Sequence, residues 1–355
     1  MKKYYLLFLV FTHFVAYAND KVTKCSFDAI TESEEFPLSR LVKDCKVIHF
    51  ENIDAARFNP WFTTVTDKYI GVRQPGGAPY KLFDSSGKYL CDIEADEKYR
   101  NGNAVPWYDD WIDDKNQLVY LAPMSGDKIY VYNTSGKFVK NIVAPQQLHK
   151  PKLHLSGKGT LTVVHMAFTG EKAAVMQFDK TGQVIKMVEP LPHLIVPNYN
   201  GEIFNTRNTD VFEFSHTSEN MLYRYNEKLN TMEPIFTLTF DPSEKPFTQY
   251  LKFKKYYLTN VFEKGKVVAT DIKKGTSSFV KIRNDFFGNL SFPINVTTFR
   301  SGRFVYNIES AQLINEIEKR LKESDCSSQD KEKLTKLLES LDKESANVLF
   351  MGKLK

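Results

Sequence analysis

Asp109, Asp110, Asp113 and Asp114 crowd into six consecutive positions, a density of carboxylates that could serve a metal or an acid–base pair. A calcium site needs about 6–8 oxygens converging on one point. Asp113-Asp114-Lys115-Asn116 reads instead as the turn between two strands, and Asp109 and Asp110, adjacent on a strand, point to opposite faces. No metal site and no cofactor are expected. Of the seven histidines none has the paired spacing of H-E-x-x-H. His154 and His165 lie on strands and read as structural groups, whereas His149, His193 and His216 fall in connections. There is no G-x-S-x-G elbow, phosphate loop or dinucleotide fingerprint, so no catalytic residue is assigned.

The aromatic residues are the better lead. Trp61, Trp107 and Trp111, with Tyr108, Arg73 and Arg100, can line one sector of a binding face, because aromatic planes beside guanidinium groups suit sugar rings or a peptide. Trp61 and Trp111 are expected to pack internally, as large aromatics commonly do. Trp107 and Tyr108, directly after Pro106, are expected to be the exposed pair. The ligand-binding candidates are therefore Arg73, Arg100, Trp107, Tyr108 and His216.

These residues must be held by strands, and the strands recur. Tyr80–Leu90, Ile129–Val139 and Val175–Ile185 each read as a strand, a turn of Asp/Asn, Ser/Thr and Gly, and a second strand. Weaker copies occupy Leu222–Met232 and Val267–Val280. Asp or Asn opens such a turn by binding its own backbone, and Gly or Asn closes it at positive φ. The turn markers at 87, 136, 182, 230 and 275 are spaced by 49, 46, 48 and 45 residues. A period in the forties built only of strand-like segments marks a four-stranded propeller blade.

Five blades follow: Trp61–Ile93, Trp107–Ile142, Leu153–Val188, Glu202–Leu238 and Tyr250–Ile282. Ile294–Phe299, Arg303–Ile308 and Val348–Met351 are left over, as is Cys45–Phe50 near the start. Together they make a sixth blade with the N-terminal strand outermost, which pairs edges that would otherwise be bare. The expected class is all-β: a six-bladed β-propeller over 41–355, preceded by an N-terminal extension over 19–40. Leu313, Ile314, Ile317 and Leu321, then Leu334, Leu337, Leu338 and Leu341, mark two helices inserted in blade 6 at about 309–343. They are expected either to cap the channel mouth or to pack on the rim and support closure.

Lys2 and Lys3, the apolar Tyr4–Val15 and Ala16-Tyr17-Ala18 read as a secretory signal cleaved after Ala18. Val22-Thr23-Lys24 before Cys25 lacks the apolar-small context of a lipoprotein signal, so a periplasmic or secreted protein without a membrane anchor is expected. Cleavage lowers the formal charge from +5 to +3, and no stripe of Lys/Arg interleaved with aromatics supports nucleic-acid binding. Cys25, Cys45, Cys91 and Cys326 match no zinc or C-x-x-C spacing, and an oxidising compartment permits up to two disulfides in any of three pairings.

Leu38-Ser39-Arg40-Leu41-Val42 with Val47-Ile48-His49-Phe50-Glu51, the hairpin Leu82–Lys88, Arg283-Asn284-Asp285 leading to Phe292-Pro293, and Asn347-Val348-Leu349-Phe350 with Lys353-Leu354-Lys355 carry a resemblance. The ordered set resembles the six-bladed β-propeller family of Bacteroidetes envelope proteins, within the TolB-like group. The family's Gly-x-Gly-Pro-Gly-Glu-like loop after blade 1 is largely lost here, the segment reading Arg100–Tyr108. The resemblance implies an envelope or periplasmic setting and points to no particular activity, the family being largely uncharacterised. The function expected is a non-catalytic binding or scaffold module whose channel face meets a glycan, a peptide or an envelope protein. The alternative is a lyase, hydrolase or lactonase whose site is assembled from several blades.

Overall fold

The computed structural model describes residues 22–94, 106–345 and 347–355. The expected signal segment and Arg100 lie outside them. Three short strands come first: β1 (Thr23–Ser26), β2 (Ser33–Pro37) and β3 (Lys46–His49). Blade 1 is β4 (Phe62–Val65), β5 (Tyr69–Arg73), β6 (Tyr80–Asp84) and β7 (Tyr89–Ile93). Blade 2 is β8 (Trp107–Asp113), β9 (Leu118–Pro123), β10 (Ser125–Asn133) and β11 (Phe138–His149). Blade 3 is β12 (Lys152–Leu155), β13 (Leu161–Val164), β14 (Val175–Phe178) and β15 (Val184–Val188). Blade 4 is β16 (Ile203–Phe204), β17 (Glu213–His216), β18 (Leu222–Asn226) and β19 (Thr231–Thr239). Blade 5 is β20 (Thr248–Lys252), β21 (Tyr256–Val261), β22 (Lys266–Asp271) and β23 (Ser277–Arg283). Then come β24 (Phe299–Arg300), β25 (Arg303–Glu309), helices α1 (Ser310–Leu321) and α2 (Ser328–Glu339), and β26 (Asn347–Lys353).

The turn chemistry builds the outer hairpins. Gly87, Gly136, Gly182, Asn230 and Gly275 all have positive φ, between 55° and 95°. In each hairpin an Asp or Asn side chain accepts backbone N–H groups of its own turn. Asp84 Oδ1, for example, takes Ser86 N–H at 2.8 Å and Lys88 N–H at 3.1 Å. Asp179 Oδ1 takes Thr181 N–H at 2.9 Å and Gln183 N–H at 3.0 Å.

Blade 6 is β24-β25-β26-β3, so a strand of the N-terminal segment and the C-terminal strand share one sheet. Val348 lies opposite His49, Leu349 opposite Ile48 and Phe350 opposite Val47. The first strand is shorter than expected. Asn295 accepts Thr297 N–H and turns Val296–Thr298 into a 3-10 turn, leaving only Phe299–Arg300 extended. The N-terminal extension also does more than lead in. β1 adds to the outside of blade 4, parallel to β19, and β2 adds to blade 5, parallel to β23. The segment thus runs as a belt over the outer edges of three blades in turn, covering strand edges that would otherwise be open to pairing.

The helix pair packs on the rim. Leu313, Ile317, Leu334 and Leu337 share a core with Leu290, Phe292 and Phe350. Arg320 donates to the Gly288 carbonyl and Lys333 to that of Asp285, both in the link from blade 5 to blade 6. No helix residue lines the axial cavities given below. All four cysteines are free thiols.

Gly87 reports on ring closure. A Cβ there would stand 2.5 Å from the His49 carbonyl oxygen of β3, whereas one on Gly265, also at positive φ, meets nothing. Gly87→Ala is therefore expected to cost about 1–3 kcal/mol more than Gly265→Ala in urea unfolding. Equal losses would place β3 elsewhere.

Candidate ligand-binding channel

Charges from four blades meet at the axis. Asp109 and Asp110 stand on β8 and diverge as strand neighbours do. Asp109 Oδ2 accepts the Leu153 N–H of blade 3 at 2.7 Å, and Asp110 Oδ2 accepts the Tyr80 hydroxyl of blade 1 at 3.2 Å. Guanidiniums crossing the axis nevertheless bridge them. Arg73 Nε donates to Asp110 at 2.9 Å, and Arg300 Nη2 donates to Asp109 at 2.7 Å and reaches Asp110 at 3.5 Å. Arg207 Nη2 donates to Asp109 at 3.3 Å, and its Nη1 donates to the Asp110 carbonyl. The side chains of Arg73, Asp109, Asp110 and Arg207 are each 1 % exposed. Tyr80 reaches this knot across Gly71, where a Cβ would overlap its hydroxyl. Burial and the Asp110 carboxylate keep the Tyr80 phenol neutral, well above the ordinary tyrosine range.

The knot parts two chambers. A cavity of about 590 Å³ opens on the face of the first turn of each blade, lined by Trp111, Asp114, Lys115, Lys158, Arg207 and Arg303 among others. Arg207 lies 5.2 Å over the Trp111 ring. The carboxylates here are engaged by their own surroundings. Asp114 holds Thr66 and the N–H groups of Asp67 and Lys68, and Asp67 pairs with Arg303 at 2.5 Å and Lys353 at 3.0 Å. On the opposite face a cavity of about 270 Å³ between blades 6 and 1 is lined by Trp61, Arg300 and Tyr306. It shares Phe62, Thr297 and Arg300 with a void of about 30 Å³ on the axis, which also touches Lys152, Asn205 and Gln249.

Arg73 and Tyr108 do reach the axis. The Tyr108 carbonyl accepts Arg73 Nη1, and its ring lies 4.0 Å from the Lys152 ammonium. The exposure expected of the aromatics is reversed. Trp107, the first residue of β8, is 2 % exposed, packs edge-on to Tyr130 and Tyr132 between blades 1 and 2, and donates to the Ile93 carbonyl at 3.4 Å. Tyr108 is buried as well. Trp61 precedes β4, falls outside the sheet and is 43 % exposed at the rim. His216 is buried with Nδ1 on Ser218 and Nε2 without a partner, and burial lowers its pKa to about 4.

A histidine network lies between blades 2, 3 and 4 on the face of the inter-blade links. His149 Nε2 is 2.9 Å from Glu171 Oε1, its Nδ1 meets the Tyr199 hydroxyl, and Tyr199 donates to Ser125 Oγ at 3.1 Å. Burial raises the pKa of Glu171 against the pull of His149 and lowers that of His165 beside it to about 4. Lys150 donates to the Tyr199 and Gly201 carbonyls at 2.8 and 2.6 Å. The network can relay a proton, but it lines none of the three cavities. Among the described residues no group of three or more His, Cys, Asp or Glu could hold a metal.

Arg207, Arg300 and Lys152 escaped the sequence reading. The available signal was a lone cation beside apolar inner-strand residues, Lys152 before Leu153 and Arg300 after Phe299. Burial among Arg73, Arg300 and Lys150 lowers the Lys152 pKa from 10.5 to about 7, although Asp109 resists the shift. Between pH 7 and 10 the unfolded chain then binds a proton the folded one lacks, so stability rises with pH across that window. In sodium gluconate, Lys152→Met is expected to unfold at higher temperature at pH 7, with the gap from wild type shrinking toward pH 9. A gap that stays constant, or a less stable variant, would show Lys152 fully paired.

No functionally curated protein matches the chain. A solved Bacteroides fragilis protein, whose name proposes that it is exported, superposes with a TM-score of 0.61 at 11% identity, over 94% of this chain and 99% of its own. That likeness shows the fold. A streptogramin B lyase (TM-score 0.46, 13% identity, 69% of this chain and 76% of its own) and the virginiamycin B lyase of Staphylococcus aureus (0.45, 16%, with the same coverages) are more distant, and at that level say nothing of the chemistry here. With six blades, a belt from the N-terminus and a family model matching residues 23–353, the chain belongs to the family described as domain of unknown function DUF4934.

Proposed function

We propose that this propeller is an exported binding module whose 590 Å³ chamber takes a saccharide-sized ligand bearing an acidic group. The observation that carries the reading is the pairing of Trp111 with Arg207 at the chamber floor, in a lining where Lys115, Lys158, Lys180, Arg207 and Arg303 outnumber the carboxylates of Asp67, Asp113 and Asp114. Lys115, Lys158 and Lys180 line it, and among the described residues none of the three has a carboxylate partner. The volume lies within the roughly 300–1,000 Å³ of small-ligand sites. An aromatic face backed by a guanidinium suits a sugar ring, and the lysines suit its carboxylate. Export is supported by the signal-like Lys2–Ala18 and by the name of the B. fragilis neighbour. No helix among the described residues is long and apolar enough to cross a membrane.

A second reading, a propeller enzyme of the lyase, hydrolase or lactonase type, is favoured by the Ser125–Tyr199–His149–Glu171 relay. One experiment separates the two. A series of uronic-acid oligosaccharides, with neutral ones as counter-probes, is titrated calorimetrically and recovered for product analysis. Binding is expected for the acidic series with the sugar recovered intact. Trp111→Ala should lose about tenfold in affinity, roughly the worth of one aromatic contact, and Lys158→Glu should lose at least as much. Affinity indifferent to both variants removes the chamber as the site, and cleaved product favours the enzyme.

A further inference from the structure

The 30 Å³ axial void is on the far side of the ionic knot from the proposed saccharide chamber, and its polar lining is mismatched. Lys152 is 7 % exposed, and its ammonium has no hydrogen-bond partner among the described residues, only the Tyr108 ring at 4.0 Å. Asn205, 6 % exposed, is oriented by its Oδ1, which accepts Arg207 N–H at 2.8 Å. Its Nδ2 donor must then point the other way, and it too lacks a partner. Gln249, 5 % exposed, has an unpartnered acceptor in Oε1, which an anion does not serve; its amide must turn to present Nε2 to one. Arg300 spends Nε on Thr64 and Nη2 on the two aspartates, and borders the void as well. Three guanidiniums and one ammonium thus face Asp109 and Asp110, and Glu202, whose pKa burial raises to about 7, adds at most one more negative charge near Arg73.

Buried donors without acceptors are costly, and a buried surplus of positive charge more so. Both are relieved by the same occupant. We propose that the void is a seat for one small monovalent anion, held by Lys152 and Asn205 beside Arg300 and reached through the Trp61 cavity that shares Phe62, Thr297 and Arg300 with it. Its volume is near that of a single water molecule, about 30 Å³ in the liquid. Halide or the carboxylate end of a very small acid fits; sulfate does not. The groups facing Lys152 are Tyr108 and Asp109 from blade 2, Arg73 from blade 1, Arg300 from blade 6 and Lys150 from its own blade. Since burial brings the Lys152 pKa to about 7, anion binding should weaken as pH rises above that value.

The test is thermal unfolding in sodium gluconate exchanged stepwise for bromide, formate or sulfate at constant ionic strength. Wild type is expected to gain stability saturably with bromide and not with sulfate, and to gain less at pH 9 than at pH 6. Formate acting like bromide would make the occupant a carboxylate; formate without effect would make it a halide. Lys152→Met and Asn205→Ala, each with its own unfolding transition as proof of folding, should lose the dependence. A bromide crystal should show anomalous density between Lys152 Nζ and Asn205 Nδ2. A halide response kept by both variants, or no response and no density in wild type, overturns the proposal.

Discussion

The carboxylates of Asp109 and Asp110 are shared by three guanidiniums that arrive from blades 1, 4 and 6, and this contact organises the axis. Buried ion pairs contribute little net stability when set against a well-packed apolar core, but removing one partner is expensive because the others stay behind, charged and dry. The knot therefore acts chiefly as a constraint on geometry. It ties blades that belong to separate sheets and obliges Gly71 to have no side chain, so that Tyr80 can reach Asp110. It also divides the channel. The larger chamber and the Trp61 side are separate environments on opposite faces, each ending on the same charges.

Closure of the ring is the second constraint, and it is carried by the N-terminal segment. β3 completes blade 6, while β1 and β2 run parallel to the last strands of blades 4 and 5. The C-terminal residues are fastened to the same segment, with Lys355 N–H on the Leu41 carbonyl and Lys43 N–H on that of Lys353. The helix pair supports this seam from the rim through the blade 5–6 link. A ring of twisted sheets has one join, and here β3, the C-terminal strand and the helix pair are concentrated on it.

The hairpins and the sixth blade were legible in the sequence because their causes are local. Asp84 and Gly87, or Asp179 and Gly182, state a turn within four residues, and repetition at one period turns five weak signals into an architecture. The belt was not legible, since parallel addition to an outer edge needs no turn and leaves no spacing to read. The axial knot was hidden for another reason: Asp109 and Arg300 are 191 positions apart, and only closure of the ring brings them together. The tryptophans mislead at the level of a single residue. Whether Trp61 or Trp107 is buried depends on which is inside the sheet, and β4 starts one residue after Trp61 while β8 starts at Trp107. Tyr108 and Arg73 stand at the axis, bonded to each other, rather than on an exposed patch.

The measurement that bears most directly on this account is the urea unfolding of Asp109→Ala beside wild type at pH 7. Loss of that carboxylate strands Arg207 and Arg300 in a dry axis, and the account predicts a cost of about 3–5 kcal/mol. A transition within about 0.5 kcal/mol of wild type, the range of an ordinary surface substitution, would mean that the charges at the axis are solvated and that the channel is not divided.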